Sequence, residues 1–176
     1  KGNENMNWTA QNENAPHGNF IHRKYVSQIL NNHAYQLSNH SERKYFIDQV
    51  ISWTSGAFTS LVSISSIVKG STAKVAAISF NMKSLDSVIL PAGYVFAVTD
   101  NNGKVLYHSD KSKNLNENIL DEFSDRDYLQ SYYEAKTPGN FTTKYFGKKY
   151  HVQVKPLPHL PYFMLLMTDT QFKETR

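Results

Sequence analysis

Two residues near the start of the chain have the chemistry of a small-molecule grip. In His22-Arg23-Lys24-Tyr25-Val26 a planar guanidinium stands two positions from an amphipathic aromatic. Arginine presents a rigid fork that matches a carboxylate, and its ordinary alternative is a solvated charge on a helix. Trp53, Tyr94, Phe96 and Tyr107 are aromatic side chains that either fill a core or wall a pocket carrying few polar groups. His108 ends the apolar run Val105-Leu106-Tyr107 beside Asp110, where an imidazole can touch a ligand or bond within the fold. Catalysis finds less support. Ser41 to Lys44 and Ser66 to Lys69 fit the Ser-x-x-Lys spacing of acyl transferases, but no Lys-Thr-Gly accompanies them. Asp100-Asn101-Asn102-Gly103 suggests a calcium loop, yet Lys104 takes its fifth position and no Glu stands at the twelfth. The seven histidines are scattered, and none pairs with another one helical turn away on an expected helix. No metal site, cofactor or catalytic residue is expected.

The elements that carry these residues are written in the hydrophobic pattern. Tyr94, Phe96 and Val98 alternate with Val95, Ala97 and Thr99, and Val105 to Tyr107 follow after Asn102-Gly103, which predicts a hairpin closed by a type I′ turn. Upstream, Ile21, Tyr25 and Ile29 with Val26 and Leu30 make a helical stripe. Three strands are expected next, over Tyr45–Trp53, Ala57–Val68 and Val75–Phe80, with breaks at Gly56 and Gly70. Ser84 heads a short helix stopped by Pro91 and Gly93. Asn114 with Glu117 reads as a capping box for a helix through Phe123, and Ser124 with Asp127 as the start of another that ends at Thr137-Pro138-Gly139. Strands over Phe141–Phe146, Tyr150–Val154 and Tyr162–Met167 complete the series. From Tyr94 the order is β-β-α-α-β-β-β.

The composition limits the functions this pattern can serve. The chain has 176 residues, 40% hydrophobic and 19% charged, with a net charge of +4. That charge is dispersed, unlike the clustered basic face of a nucleic-acid binder, so no nucleic-acid partner is expected. Cysteine is absent, which rules out disulfide and thiolate chemistry without fixing a compartment. Residues Lys1 to Asn19 are polar and Asn-rich and read as an arm or loop. The longest apolar run, Tyr162 to Met167, is far shorter than the ~20 residues that span a bilayer. A chain that opens on Lys1 reads as a fragment of a longer protein.

The hairpin from Tyr94 to Asp110, with Thr99-Asp-Asn-Asn-Gly103 at its turn and His108-Ser-Asp110 at its end, resembles the first two strands of the PAS-like module in extracellular Cache sensor domains. Over roughly residues 20 to 170 the chain is similar to the two-module Cache domains of bacterial chemoreceptors and sensor histidine kinases. The resemblance implies an α+β fold: a PAS-like antiparallel five-stranded sheet with helices on one face, preceded by a helix and further strands. It places the end of a membrane-distal module in residues 1–82 and a membrane-proximal module in residues 83–176. His22 to Val26 resembles the Arg-x-Tyr step that lines the distal pocket, Ser52 to Phe58 the strand turn facing it, and Val75 to Phe80 the last distal strand. Two positions depart from the amino-acid-binding pattern. Lys24 stands where a bulky aromatic is usual, and Ser79 or Phe80 where an Asp pairs with an α-ammonium group.

The resemblance implies a non-catalytic sensor in the periplasmic or extracellular part of a bacterial inner-membrane protein, a histidine kinase or chemoreceptor, membrane-tethered and open to homodimerisation. Its partner would be a small anionic or zwitterionic metabolite, an organic acid among the candidates, held by Arg23, Tyr25, Trp53, Tyr94, Phe96, Tyr107 and His108. The alternative is an intracellular PAS-type dimerisation module without a small ligand. A hydrolase of unrecognised type is a third, weaker reading.

Overall fold

The structure is a computed structural model that describes residues 18–37, 40–52, 55–66, 70 and 72–172. The chain divides into two compact units, Lys1–Met82 and Lys83–Arg176.

In the first unit, helix α1 (Lys24–Leu30) buries Ile29, the inward member of the predicted stripe. It ends where Asn32 turns left-handed at φ 59°, a conformation asparagine tolerates, and the amides of Asn32 and His33 close back onto the Ile29 and Gln28 carbonyls. Strands β1 (Tyr35–Leu37), β2 (His40–Ile51), β3 (Phe58–Ser65) and β4 (Val75–Phe80) form an antiparallel sheet in that order. The three expected strands are present, β4 with the expected bounds and β2 and β3 with different ones. β3 is the shorter by three residues at its far end, where Ser66 leaves the ladder to bond the Lys74 carbonyl, and Ile67 and Val68 lie outside the described residues. Between β2 and β3, Gly56 adopts φ 66° in a turn closed by Ser52 and Ala57.

Serine in a buried strand needs a partner, and Ser63, fully buried in β3, donates from Oγ to the Tyr25 carbonyl of α1 at 2.8 Å. This bond shows which face of the sheet α1 covers. Strand registry pairs Phe46 with Ser63 and Ser63 with Ala77, and pairs Asp48 with Leu61 and Leu61 with Ser79. Those residues share the helix-side face, because side chains directly opposite in a ladder point the same way. Ile47, Gln49, Ser60, Val62, Ile64, Ala76, Ile78 and Phe80 take the other.

The second unit holds a short helix α2 (Lys83–Asp86), then β5 (Tyr94–Asp100), β6 (Val105–His108), α3 (Ile119–Glu122), α4 (Arg126–Ala135), β7 (Gly139–Tyr145), β8 (Lys148–Pro156) and β9 (Tyr162–Asp169). The sheet order is β6-β5-β9-β8-β7, all antiparallel. One face meets Ile119, Leu120, Leu129 and Tyr133 from the helices, against Ala97, Val152, Val154, Leu165 and Met167 from the strands. The expected α+β class and the β-β-α-α-β-β-β order are therefore observed.

Two local expectations are corrected. The β5–β6 turn is not type I′, since Gly103 is left-handed at φ 82° but Asn102 is not. Instead the Gly103 amide bonds the Asp100 carbonyl at 3.2 Å, and the Asp100 carboxylate accepts from the amides of Asn102 and Lys104. That is a type I turn followed by a glycine bulge, selected by the aspartate side chain. The type I′ geometry belongs to Phe146-Gly147, both left-handed, which join β7 to β8 between the paired Tyr145 and Lys148.

The second correction concerns Asn114, which does not begin a helix. Its Oδ1 accepts from the His108 amide at 2.7 Å, and Glu117 turns to other partners. A 3-10 turn over Lys111–Lys113, capped by Asp110, and the short α3, capped by Asn118, take the helix's place. Further on, α4 ends just before the expected Thr137-Pro138-Gly139, with Lys136 in the left-handed region as its cap, and Gly139 opens β7. A side chain on Gly139 would enter the Tyr132 ring, so glycine is needed there for the close approach of helix and strand.

Candidate ligand-binding site

Arg23 is the residue that leads into α1, in extended conformation, and its carbonyl starts the helix by accepting from the amides of Val26 and Ser27. Tyr25 lies in the first turn, tied to β3 through the Ser63 bond. Lys24, the departure from the amino-acid-binding pattern, reaches over the Phe46 ring with Nζ at 5.8 Å. Ser79 is on the face that α1 covers and Phe80 is on the other. Ser79 Oγ is 2.9 Å from Thr59 Oγ1, which also donates to the Phe80 carbonyl.

Asp48, which no sequence motif marks, occupies the same rung as Ser79 across β3 and puts a carboxylate on the helix-side face. Counting β2 as a strand with alternating faces through Phe46 would have found it. Trp53 lies outside the described residues.

The other expected ligand residues sit in the second unit, and the sheet separates them. Tyr94 and Phe96 share a face of β5 with Val98, whose partner on β6 is Tyr107. His108 pairs with Ala97, on the opposite, helix-covered face. Tyr94 is partly exposed, while Phe96, Tyr107 and His108 are buried.

His108 anchors a polar cluster of its own. Its Nδ1 accepts from the Asp110 amide at 2.8 Å, so the neutral ring carries its proton on Nε2, which faces Tyr145 Oη at 3.2 Å. Tyr145 Oη donates to Glu117 at 2.6 Å and accepts from Lys113 Nζ at 2.6 Å, and Lys113 pairs with Glu117 at 3.0 Å. Lys113 also lies over the Phe146 ring, 3.7 Å from its centroid. Burial, and then the charge and hydrogen bond of Glu117, push the Tyr145 hydroxyl well above its ordinary range, so it stays a donor. A cavity of about 460 Å³ opens beside the cluster, lined by Lys113, Glu117, Asp121, Glu122 and Phe146 among others. Lys113 and Glu117 are the cluster members that sequence reading misses as a pair, although their four-residue spacing is a signal.

Burial, helped by the charge of Lys113, lowers the His108 pKa below its ordinary 6.5. The folded unit therefore prefers the neutral ring. Its contribution to stability is fully present above about pH 6.5 and is lost as pH falls from there through the folded-state pKa, because the unfolded chain binds the proton more readily. Melting temperature should fall with acidification in that window. In His108→Asn, whose amide oxygen can still accept from Asp110, that dependence should shrink; an unchanged dependence would place the responsible group elsewhere.

No protein-family model and no curated protein sequence matches the chain. Solved structures do. The extracellular domain of the histidine kinase mmHK1S-Z2 is 15% identical with a TM-score of 0.55, over 72% of this chain and 51% of its own. The ligand-binding domain of the Pseudomonas aeruginosa PAO1 amino acid chemoreceptor PctB, in complex with L-Arg, is 10% identical with a TM-score of 0.64, over 99% of this chain and 72% of its own. The periplasmic sensory domain of the Campylobacter jejuni chemoreceptor Tlp1 is 13% identical with a TM-score of 0.65, over 88% of this chain and 59% of its own. The fold is that of chemoreceptor and histidine-kinase sensor domains. The Cache-like architecture expected from the Tyr94–Asp110 hairpin is thus observed. The chain spans about half the length of the mmHK1S-Z2 domain and about three fifths of Tlp1. Among the described residues no helix is long and apolar enough to cross a membrane.

Proposed function

We propose that this chain is the extracytoplasmic ligand-binding region of a membrane-tethered signalling receptor, a histidine kinase or chemoreceptor, and that it binds without turnover. In this reading residues 1–82 are the end of a membrane-distal module and residues 83–176 the membrane-proximal one. The observation that carries it is the shared fold with extracellular and periplasmic sensor domains over most of the chain. The ligand is a small anionic or zwitterionic metabolite, whose carboxylate Arg23 receives beside Tyr25. Ser79 leaves the last strand without the carboxylate that would meet an α-ammonium, which favours organic acids. Asp48, on the same face, is the group that would accept a cationic end from a zwitterion. Binding signals only through a free-energy difference between two arrangements of the module.

The test is a thermal-shift screen of organic acids and amino acids, L-arginine included. A ligand specific to the native state at a hundredfold excess over its Kd adds about 2.7 kcal/mol, a readily measured rise in Tm. A hit with no accompanying turnover supports the reading. A library in which nothing raises Tm, or a hit that is consumed, contradicts it.

A further inference from the structure

The cavity beside Tyr145 in the second unit is walled by side-chain donors that are already engaged and by acceptors that are not. Lys113 Nζ is committed to Glu117, to Tyr145 Oη and to the ring of Phe146. Ser112 Oγ donates to the Asp110 carboxylate at 2.7 Å, Asn116 Nδ2 to the Ser112 carbonyl at 3.0 Å and Asn118 Nδ2 to the Asn102 carbonyl at 3.0 Å. The carboxylates on the same wall are in excess. Glu117 is the deepest of them, with its side chain 8% exposed, and it offsets the one ammonium. Glu122 is half-buried and has no hydrogen bond or ion pair among the described residues. Asp121 meets Arg126 at 3.9 Å in a pair mostly exposed to water, which binds it weakly.

Lys113 shows what this kind of lining accepts. Its ammonium, on an alkyl stem, is held by a carboxylate, a hydroxyl and the rings of Tyr145 and Phe146. The cavity continues that lining with two further carboxylates and with the same Phe146, itself 55% exposed. Its volume of about 460 Å³ lies within the ~300–1,000 Å³ usual for small-molecule sites.

We propose that this cavity binds a small primary alkylammonium, its charged end on Glu122 and Asp121 and its alkyl part against Phe146. Among the described residues no group of three His, Asp or Glu side chains is placed to hold a metal ion, so the cation the wall suits is an organic one. A carboxylate-bearing compound would face three carboxylates there and no uncommitted side-chain donor. The second unit thus takes a cation where the first is proposed to take an anion. The site lies wholly within residues 112–146 and does not depend on Arg23 or on the ligand proposed for the first unit.

Butylammonium, butanol and butyrate share an alkyl chain and differ in the charge of the head, which makes them the probes. Butylammonium chloride, titrated at constant ionic strength into the labelled 176-residue chain, should shift the backbone amides of residues 112–122 and 146 saturably, and butanol and butyrate should not. Glu122→Gln keeps the size of the side chain and removes its charge. It should weaken butylammonium binding by about tenfold, the loss expected of one charge-assisted hydrogen bond. Glu134→Gln removes a carboxylate of α4 that is bonded to Gln130 and does not line the cavity, so it should bind as the wild type does. No saturable shift, a shift confined to the first unit, the same shifts with magnesium chloride, or equal weakening in both glutamine variants would overturn the proposal.

Discussion

Replacing Gly103 with valine is expected to lower the stability of the second unit by about 2–5 kcal/mol, the sum of two independent costs. A left-handed conformation costs a residue with a side chain about 1–2 kcal/mol, and a β-branched one is the least tolerant. The second cost is steric. A Cβ at Gly103 would collide with the Asn118 side-chain oxygen and lie 2.7 Å from Leu120 Cγ, where ordinary contacts are far longer. Overpacking of that kind typically costs about 1–3 kcal/mol. Asn118 cannot easily give way, because its oxygen caps α3 through the Leu120 amide and its nitrogen donates to the Asn102 carbonyl. For a unit of this size the loss corresponds to a fall of at least about 8 °C in Tm. Gly103→Asn should recover part of the loss, since asparagine accepts the positive φ but keeps the Cβ. A valine variant that melts with the wild type would mean that the β5–β6 turn is not built as described.

Removing the Arg23 side chain should weaken ligand binding by more than tenfold while leaving the fold standing. Loss of one partner from a buried hydrogen-bonded charge pair typically costs about 2–5 kcal/mol, much of it because the ligand carboxylate is left desolvated and unpaired. The fold should tolerate the change because Arg23 supports α1 through its carbonyl, and its side chain makes no capping bond. Titration calorimetry of Arg23→Ala against wild type with one compound from the screen measures the ratio. Equal affinities would remove Arg23 from the site.

The strand pattern was legible because burial imposes it directly. Tyr94 to Thr99 are strand-forming residues whose successive side chains take opposite faces, Phe96 and Val98 on one and Ala97 and Thr99 on the other, and all four of these are buried. The same rule shows that Tyr107 and His108, adjacent in a strand, cannot share a pocket wall, although reading them as a motif groups them. The turn type was less accessible. Asn102-Gly103 suits a type I′ turn by composition, and the competing preference comes from the Asp100 side chain, which satisfies two amides and fixes a different loop.

The polar cluster shows a further limit. His108, Lys113, Glu117 and Tyr145 come from β6, the 3-10 turn, the segment before α3, and β7, and only the fold brings them within hydrogen-bonding distance. Asn114 and Glu117 matched a helix cap by spacing alone. Each has a stronger partner at longer range, in the His108 amide and the Tyr145 hydroxyl. Arg23 and Tyr25 were legible as chemistry but not as geometry, since the side of the sheet that α1 covers, the side of Ser79 and Asp48, is defined by the Ser63 bond to α1.

The central claim is that a small carboxylate-bearing metabolite binds the first unit on the α1 side of its sheet. Backbone amide chemical-shift mapping of the labelled 176-residue chain, titrated with a compound from the thermal-shift screen, tests this most directly. Perturbations should cluster at Arg23 to Tyr25, around Asp48 on β2 and around Ser79 on β4. Perturbations confined to Tyr94, Phe96, Tyr107 and His108 in the second unit would contradict it.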